Sequence, residues 1–94
     1  MKILIVPKIK ETYKGQVEFC VDINLINFIK KAFPQSRINI AYDNIIKSSY
    51  NLIILSGGNN IIQFSNKIDD KIRNKLDKFY LDHSLKNKVP IIGI

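Results

Sequence analysis

The chain has 94 residues, 46% of them hydrophobic, which is enough for one domain with a modest core and excludes a second. Its formal net charge is +7, but the only arginines are Arg37 and Arg73, and the lysines are spread along a chain rich in Ile and Asn. Without an aromatic-interleaved basic stripe or a groove-reading helix, that charge reads as compositional bias and argues against a nucleic-acid partner.

Lys2 to Val6 is a short apolar run closed by Pro7, the expected first strand. Only these few apolar residues follow Met1-Lys2, too few for a signal peptide, and no apolar stretch approaches the length of a membrane span. Lys8 to Gln16 is polar, contains Gly15 and reads as a loop. From 17 to 33, Val21, Leu25, Phe28, Ile29 and Ala32 recur at helical spacing, Lys30 and Lys31 suit the last turn, and Pro34 blocks continuation. The single cysteine, Cys20, excludes an internal disulfide and fits a reducing, cytoplasmic location. Lying in an apolar run, it reads as a small buried hydrophobe.

Arg37 to Tyr42 alternates polar and apolar residues, as a half-exposed edge strand does, and 43–50 is a connection. Asn51 to Leu55 is the clearest core strand and runs into Ser56-Gly57-Gly58-Asn59-Asn60. A second helix is expected over 66–85, with Asn66 as its cap and a buried stripe of Ile68, Ile72, Leu76, Phe79, Tyr80 and His83. Val89 to Ile94 is the final strand. Strands alternating with helices predict an α/β fold in which a parallel sheet carries helices on its faces. In chain order the four strands should stand as 2-1-3-4, with 51–55 and 89–94 as parallel neighbours.

The glycine turn lies past the carboxyl end of a core strand, where open α/β sheets build their sites. Glycines there let backbone approach a ligand and aim an N–H at it, the requirement for an oxyanion hole or a phosphate cradle. Gly57, Gly58 and Asn59 are therefore the candidate binding residues, against the plainer reading of a strand-ending turn. No dinucleotide fingerprint or P-loop lysine accompanies them. His83 is the only histidine, placed on the inner stripe, where a packed side chain outweighs a catalytic base. With one histidine and one cysteine a conventional zinc site is not expected, and no cofactor is implied. Asp69, Asp70, Asp77 and Asp82 share the second helix and read as a solvated, lysine-paired face. Tyr13 and Glu18 are loop residues within reach of a ligand at the end of the first strand.

Three segments together carry a resemblance. They are Asn51-Leu-Ile-Ile-Leu-Ser-Gly-Gly-Asn-Asn60, Arg73 with Asp77 four residues on, and Asn87-Lys-Val-Pro-Ile-Ile-Gly-Ile94. The chain resembles, over essentially its whole length 1–94, the amino-terminal half of a class I glutamine amidotransferase-like domain, nearest the γ-glutamyl hydrolase branch (peptidase family C26). The resemblance implies a flavodoxin-like open parallel sheet, incomplete here. It implies thiolate attack on a glutamine or γ-glutamyl amide, with the oxyanion held by backbone N–H groups at Gly57, Gly58 and Asn59 and beside the cysteine.

In that family the cysteine follows the Pro-(apolar)-(apolar)-Gly-Ile strand, so its place is the residue after Ile94, and the His and Glu of the triad lie in the second half. No catalytic residue is therefore expected within this chain, which alone is expected to be inactive. The expected partners are a glutamine or γ-glutamyl small molecule and, at the 89–94 strand edge, the remainder of the same domain or a second copy; no membrane partner is expected. The rival reading is a non-enzymatic flavodoxin-like module that binds a small ligand or a protein.

Overall fold

A computed structural model of the chain describes residues 1–57 and 67–94. In chain order the elements are β1 (Lys2–Val6), β2 (Lys8–Tyr13), β3 (Gln16–Cys20), α1 (Ile23–Ala32), β4 (Arg37–Ile40), β5 (Leu52–Leu55), α2 (Ile68–Asn87) and β6 (Ile91–Gly93). Four strands form one parallel sheet in the order β4-β1-β5-β6, and β2 and β3 form a separate antiparallel pair. The fold is thus α/β. Its four parallel strands take the order expected from the sequence, with β5 and β6 as neighbours.

β1 is covered on both faces, and its alternating side chains feed two cores. Leu4 and Val6 join Ile9, Ala41, Tyr50, Ile53, Leu76 and Tyr80 on the α2 side. Ile3 and Ile5 join Ile29, Leu52 and Ile54 on the α1 side. All four β1 side chains are at most 2% exposed. That continuous apolar run is the signature of a parallel strand buried on both faces. Asn51 aligns the starts of β1 and β5: its side-chain oxygen accepts from the Lys2 N–H at 2.8 Å, and its own N–H donates to the Lys2 carbonyl at 2.8 Å.

The segment expected to be a loop over 8–16 is instead strand β2, the turn that follows it and the first residue of β3, and the first helix begins at Ile23, not at 17. The physical signal is alternation. Ile9 faces Phe19 and Glu11 faces Val17 across the pair, and Ile9 is 1% exposed in the α2-side core. Lys14 and Gly15 make the two-residue connection, and Gly15 takes φ +82°, which L side chains rarely adopt. Tyr13 and Glu18 therefore stand on strands, not in a loop.

Asp22 stops the strand and caps the helix, its carboxylate accepting from the Asn24 N–H at 2.8 Å. α1 touches the sheet through Leu25, Ile26 and Ile29. Phe28, expected on the apolar stripe, points to solvent (69% exposed), because it lies off the arc those three residues define.

α2 buries Asp70, Arg73, Leu76, Tyr80 and Ser84, and Ile68, expected on its inner stripe, is exposed. Its first residue is Ile68, with Lys67 in the cap position; the expected cap, Asn66, lies outside the described residues. At the other end Lys88 takes the left-handed conformation at φ 54° and donates its N–H to the Ser84 carbonyl. Among the described residues no helix is long and apolar enough to cross a membrane.

Tyr80 joins α2 to the connection between β4 and β5. Its ring is 2% exposed and its hydroxyl donates to the Asp43 carbonyl at 2.8 Å. Burial, with the Asp43 charge adding, raises the phenol from 10.0 to about 12. The stability tied to this protonated phenol is complete below pH 10.0 and is lost as pH rises through about 12. Tyr80→Phe should cost about 1 kcal/mol in urea denaturation at neutral pH. Between those two pH values the variant should lose less stability than the wild type, and identical alkaline profiles would remove this role for Tyr80.

Candidate functional site

At the carboxyl edge of the sheet two backbone carbonyls gather three elements. The Val6 carbonyl accepts from the Ser56 N–H at 3.1 Å and from the Ser56 hydroxyl at 2.7 Å. The Pro7 carbonyl accepts from Arg73 Nη1 at 3.2 Å. Arg73 is 4% exposed, and its Nε donates to Asp77 Oδ1 at 2.7 Å, one turn further along α2. Arg73 and Asp77 thus meet as their spacing suggests. Their geometry clamps α2 to the end of β1, with the Arg73 side chain buried there. Ser56, 9% exposed with its hydroxyl engaged, is a structural clasp.

Beside this clasp lies a cavity of about 500 Å³ lined by Lys8, Cys20, Val21, Asp22, Leu25, Ser56, Gly57 and Ile94. It opens where β1 and β5 stand side by side and their following helices pack on opposite faces, the switch point at which α/β sheets hold ligands. Its size suits a small molecule. Of the candidate residues, Gly57 lines it; Gly58 and Asn59 lie outside the described residues.

Gly57 is glycine for a steric reason. A Cβ built there would come 2.7 Å from the backbone oxygen of Ile94, a separation side chains do not tolerate. The turn after β5 thus packs against the chain just past β6, where the Ile94 N–H donates to the Leu55 carbonyl at 3.0 Å.

Sequence reading missed Lys8, Cys20 and Asp22. Cys20, expected as a buried hydrophobe, is half-buried on the cavity wall opposite Lys8 in the hairpin register. Asp22 followed by an apolar run was the available signal, since it marks a helix start.

The remaining candidates lie elsewhere. Tyr13, near the hairpin turn, is 76% exposed. His83 is half-buried near the last turn of α2, with Nδ1 at 3.1 Å from Asn87 Nδ2. It follows Arg73 by ten residues, about 15 Å along the helix axis, and so stands away from the cavity edge. Of the aspartates on α2, Asp77 pairs with Arg73 and not with a lysine. Asp69 Oδ2 accepts from the Glu11 N–H at 3.4 Å, tying the hairpin to α2, and Asp70 is buried. Among the described residues no group of three or more His, Cys, Asp and Glu side chains could hold a metal ion.

No family model matches the chain, and neither the curated proteins nor the solved structures hold a match to it.

Gly57→Ala should force the turn and the end of β6 apart, costing about 1–3 kcal/mol, the range for an overpacked contact. Amide exchange at Ile94 should accelerate in the same variant. Unchanged stability with unchanged exchange would mean that the contact relaxes freely.

Proposed function

We propose that this chain is the amino-terminal half of a flavodoxin-like, class I glutamine amidotransferase-like domain of the γ-glutamyl hydrolase kind. In this reading the enzyme hydrolyses a glutamine or γ-glutamyl amide through a cysteine thiolate carried just after Ile94. The observation that supports it best is the contact between the Gly57 turn and Ile94 at the ends of two parallel neighbours. A nucleophile delivered there would stand beside the backbone of the turn. N–H groups from Gly57, Gly58 and Asn59 are its candidate oxyanion donors. Fixed donors aimed at developing charge supply a large share of acyl-transfer catalysis.

The reaction would form a bond from sulfur to the amide carbon, expel the amine after protonation by a general acid, and release the acyl group to water. The 2-1-3-4 order and the Arg73–Asp77 pair accord with the resemblance. The outer edge of β6, where Ile92 is 50% exposed, is where the remainder of such a domain, or a second copy, would pair.

A second reading keeps the cavity and drops the chemistry: a flavodoxin-like module that binds a small ligand. It is favoured by a cavity wall that this chain forms with its own residues.

A glutaminase and γ-glutamyl hydrolase assay separates the two. The 94-residue chain should show no turnover. A longer protein with cysteine after Ile94 and the downstream half of such a domain should hydrolyse one of these amides and lose activity to iodoacetamide. Cys20→Ser should still give turnover that iodoacetamide abolishes, because the reacting thiol in this reading is not Cys20. Hydrolysis by the short chain that disappears in Cys20→Ser would overturn the assignment.

A further inference from the structure

The geometry points to a binding site for a small anionic ligand with an apolar body, whose phosphate or carboxylate group is held by Lys8 at the cavity on the carboxyl edge of the sheet. This does not rest on the hydrolase reading, because it concerns binding to this chain alone.

The position of Lys8 follows from the register of the hairpin. Ile9 is locked into the core with Leu76 and Tyr80. Alternation then puts Lys8 and Lys10 on the opposite face of β2. Lys8 stands across from Cys20, and both line the cavity. A one-residue slip would exchange Ile9 for a lysine in the core, so the lysine is fixed at the wall by the burial of its neighbour.

The side chains that line the cavity favour an anion. Among the described residues the one lining side chain with a carboxylate, Asp22, is committed to the start of α1: it accepts from the Asn24 N–H, and the positive end of the helix offsets its charge. Lys8 is half-buried beside Val21 and Leu25, and the ion pairs among the described residues do not include it. An ammonium outside the ion pairs of the described residues gains from a charge-assisted hydrogen bond to an incoming anion. Lys10 is on the same face but outside the lining, with the Glu18 carboxylate opposite it in the register. Val21 and Leu25, with Cys20, set the apolar character of the rest of the ligand.

The test is an amide chemical-shift titration of the 94-residue chain, its terminal carboxylate amidated because Ile94 lines the cavity, with phenyl phosphate, benzoate and uncharged benzyl alcohol. Either or both anions should saturate shifts at Lys8, Cys20, Val21 and Gly57, and the tighter of the two identifies the group the site prefers. Benzyl alcohol should bind roughly tenfold more weakly or not at all. Lys8→Gln should weaken the preferred anion roughly tenfold, and Lys8→Arg should retain it. Added sodium chloride should weaken anion binding to the wild type, a readout that needs no variant to fold. The proposal is overturned if neither anion binds or if benzyl alcohol binds as tightly. It is equally overturned if salt has no effect, if a folded Lys8→Gln binds like the wild type, or if the shifts fall on Lys71, Lys75 and Lys78 of α2 instead.

Discussion

The carboxyl edge of this protein depends on two carbonyls at the end of β1. Val6 and Pro7 accept hydrogen bonds from Ser56 and Arg73, and those bonds seat the end of β5 and the amino-terminal half of α2 against the same point. Both acceptors belong to buried residues: the Val6 carbonyl keeps the Ser56 N–H if the hydroxyl is lost, whereas losing Arg73 takes that donor from the Pro7 carbonyl. Pro7 adds a further constraint. Having no N–H to offer, it cannot extend the ladder, and the chain leaves the sheet there to form the hairpin. The cavity is the space enclosed by that departure: hairpin base on one side, glycine turn on the other, start of α1 between them.

A second consequence is the division of labour between helices. Because β1 is buried on both faces, each face needs its own cover, and α1 and α2 supply one each. The connection from β4 back to β5 passes on the α2 side, where Ala41 and Tyr50 are buried and the Tyr80 hydroxyl grips the Asp43 carbonyl. Sheet order, helix placement and the path of this connection therefore form one solution to the burial of a single apolar strand.

The site combines rigid and adaptable parts. Ser56 and Arg73 are spent on holding backbone, and the other lining residues include Lys8, Cys20, Val21, Leu25 and Gly57. Arg73 illustrates why a motif and its role separate. The spacing to Asp77 is a helical i, i+4 pair whatever the pair does, and the partner on Pro7, far away in sequence, turns it into a clamp.

Much of the fold was legible in the sequence. The boundaries of β1, the identity of β5 as a core strand, the helix over most of 66–85 and the 2-1-3-4 order all follow from uninterrupted apolar runs, helical periodicity and strand–helix alternation, which are local properties. The hairpin was hidden because Lys8–Cys20 carries only Ile9, Tyr13, Val17 and Phe19 as large apolar signals amid charge, and Cys20 and Val21 blend into the helical pattern that follows. The candidate Gly57 was readable as a glycine past a core strand. That it must be glycine depends on the Ile94 oxygen, brought beside it by the pairing of β5 with β6. The cavity joins residues 8, 20–22, 25, 56, 57 and 94, which no local pattern relates, because only the crossing of the chain over the sheet brings them to one edge.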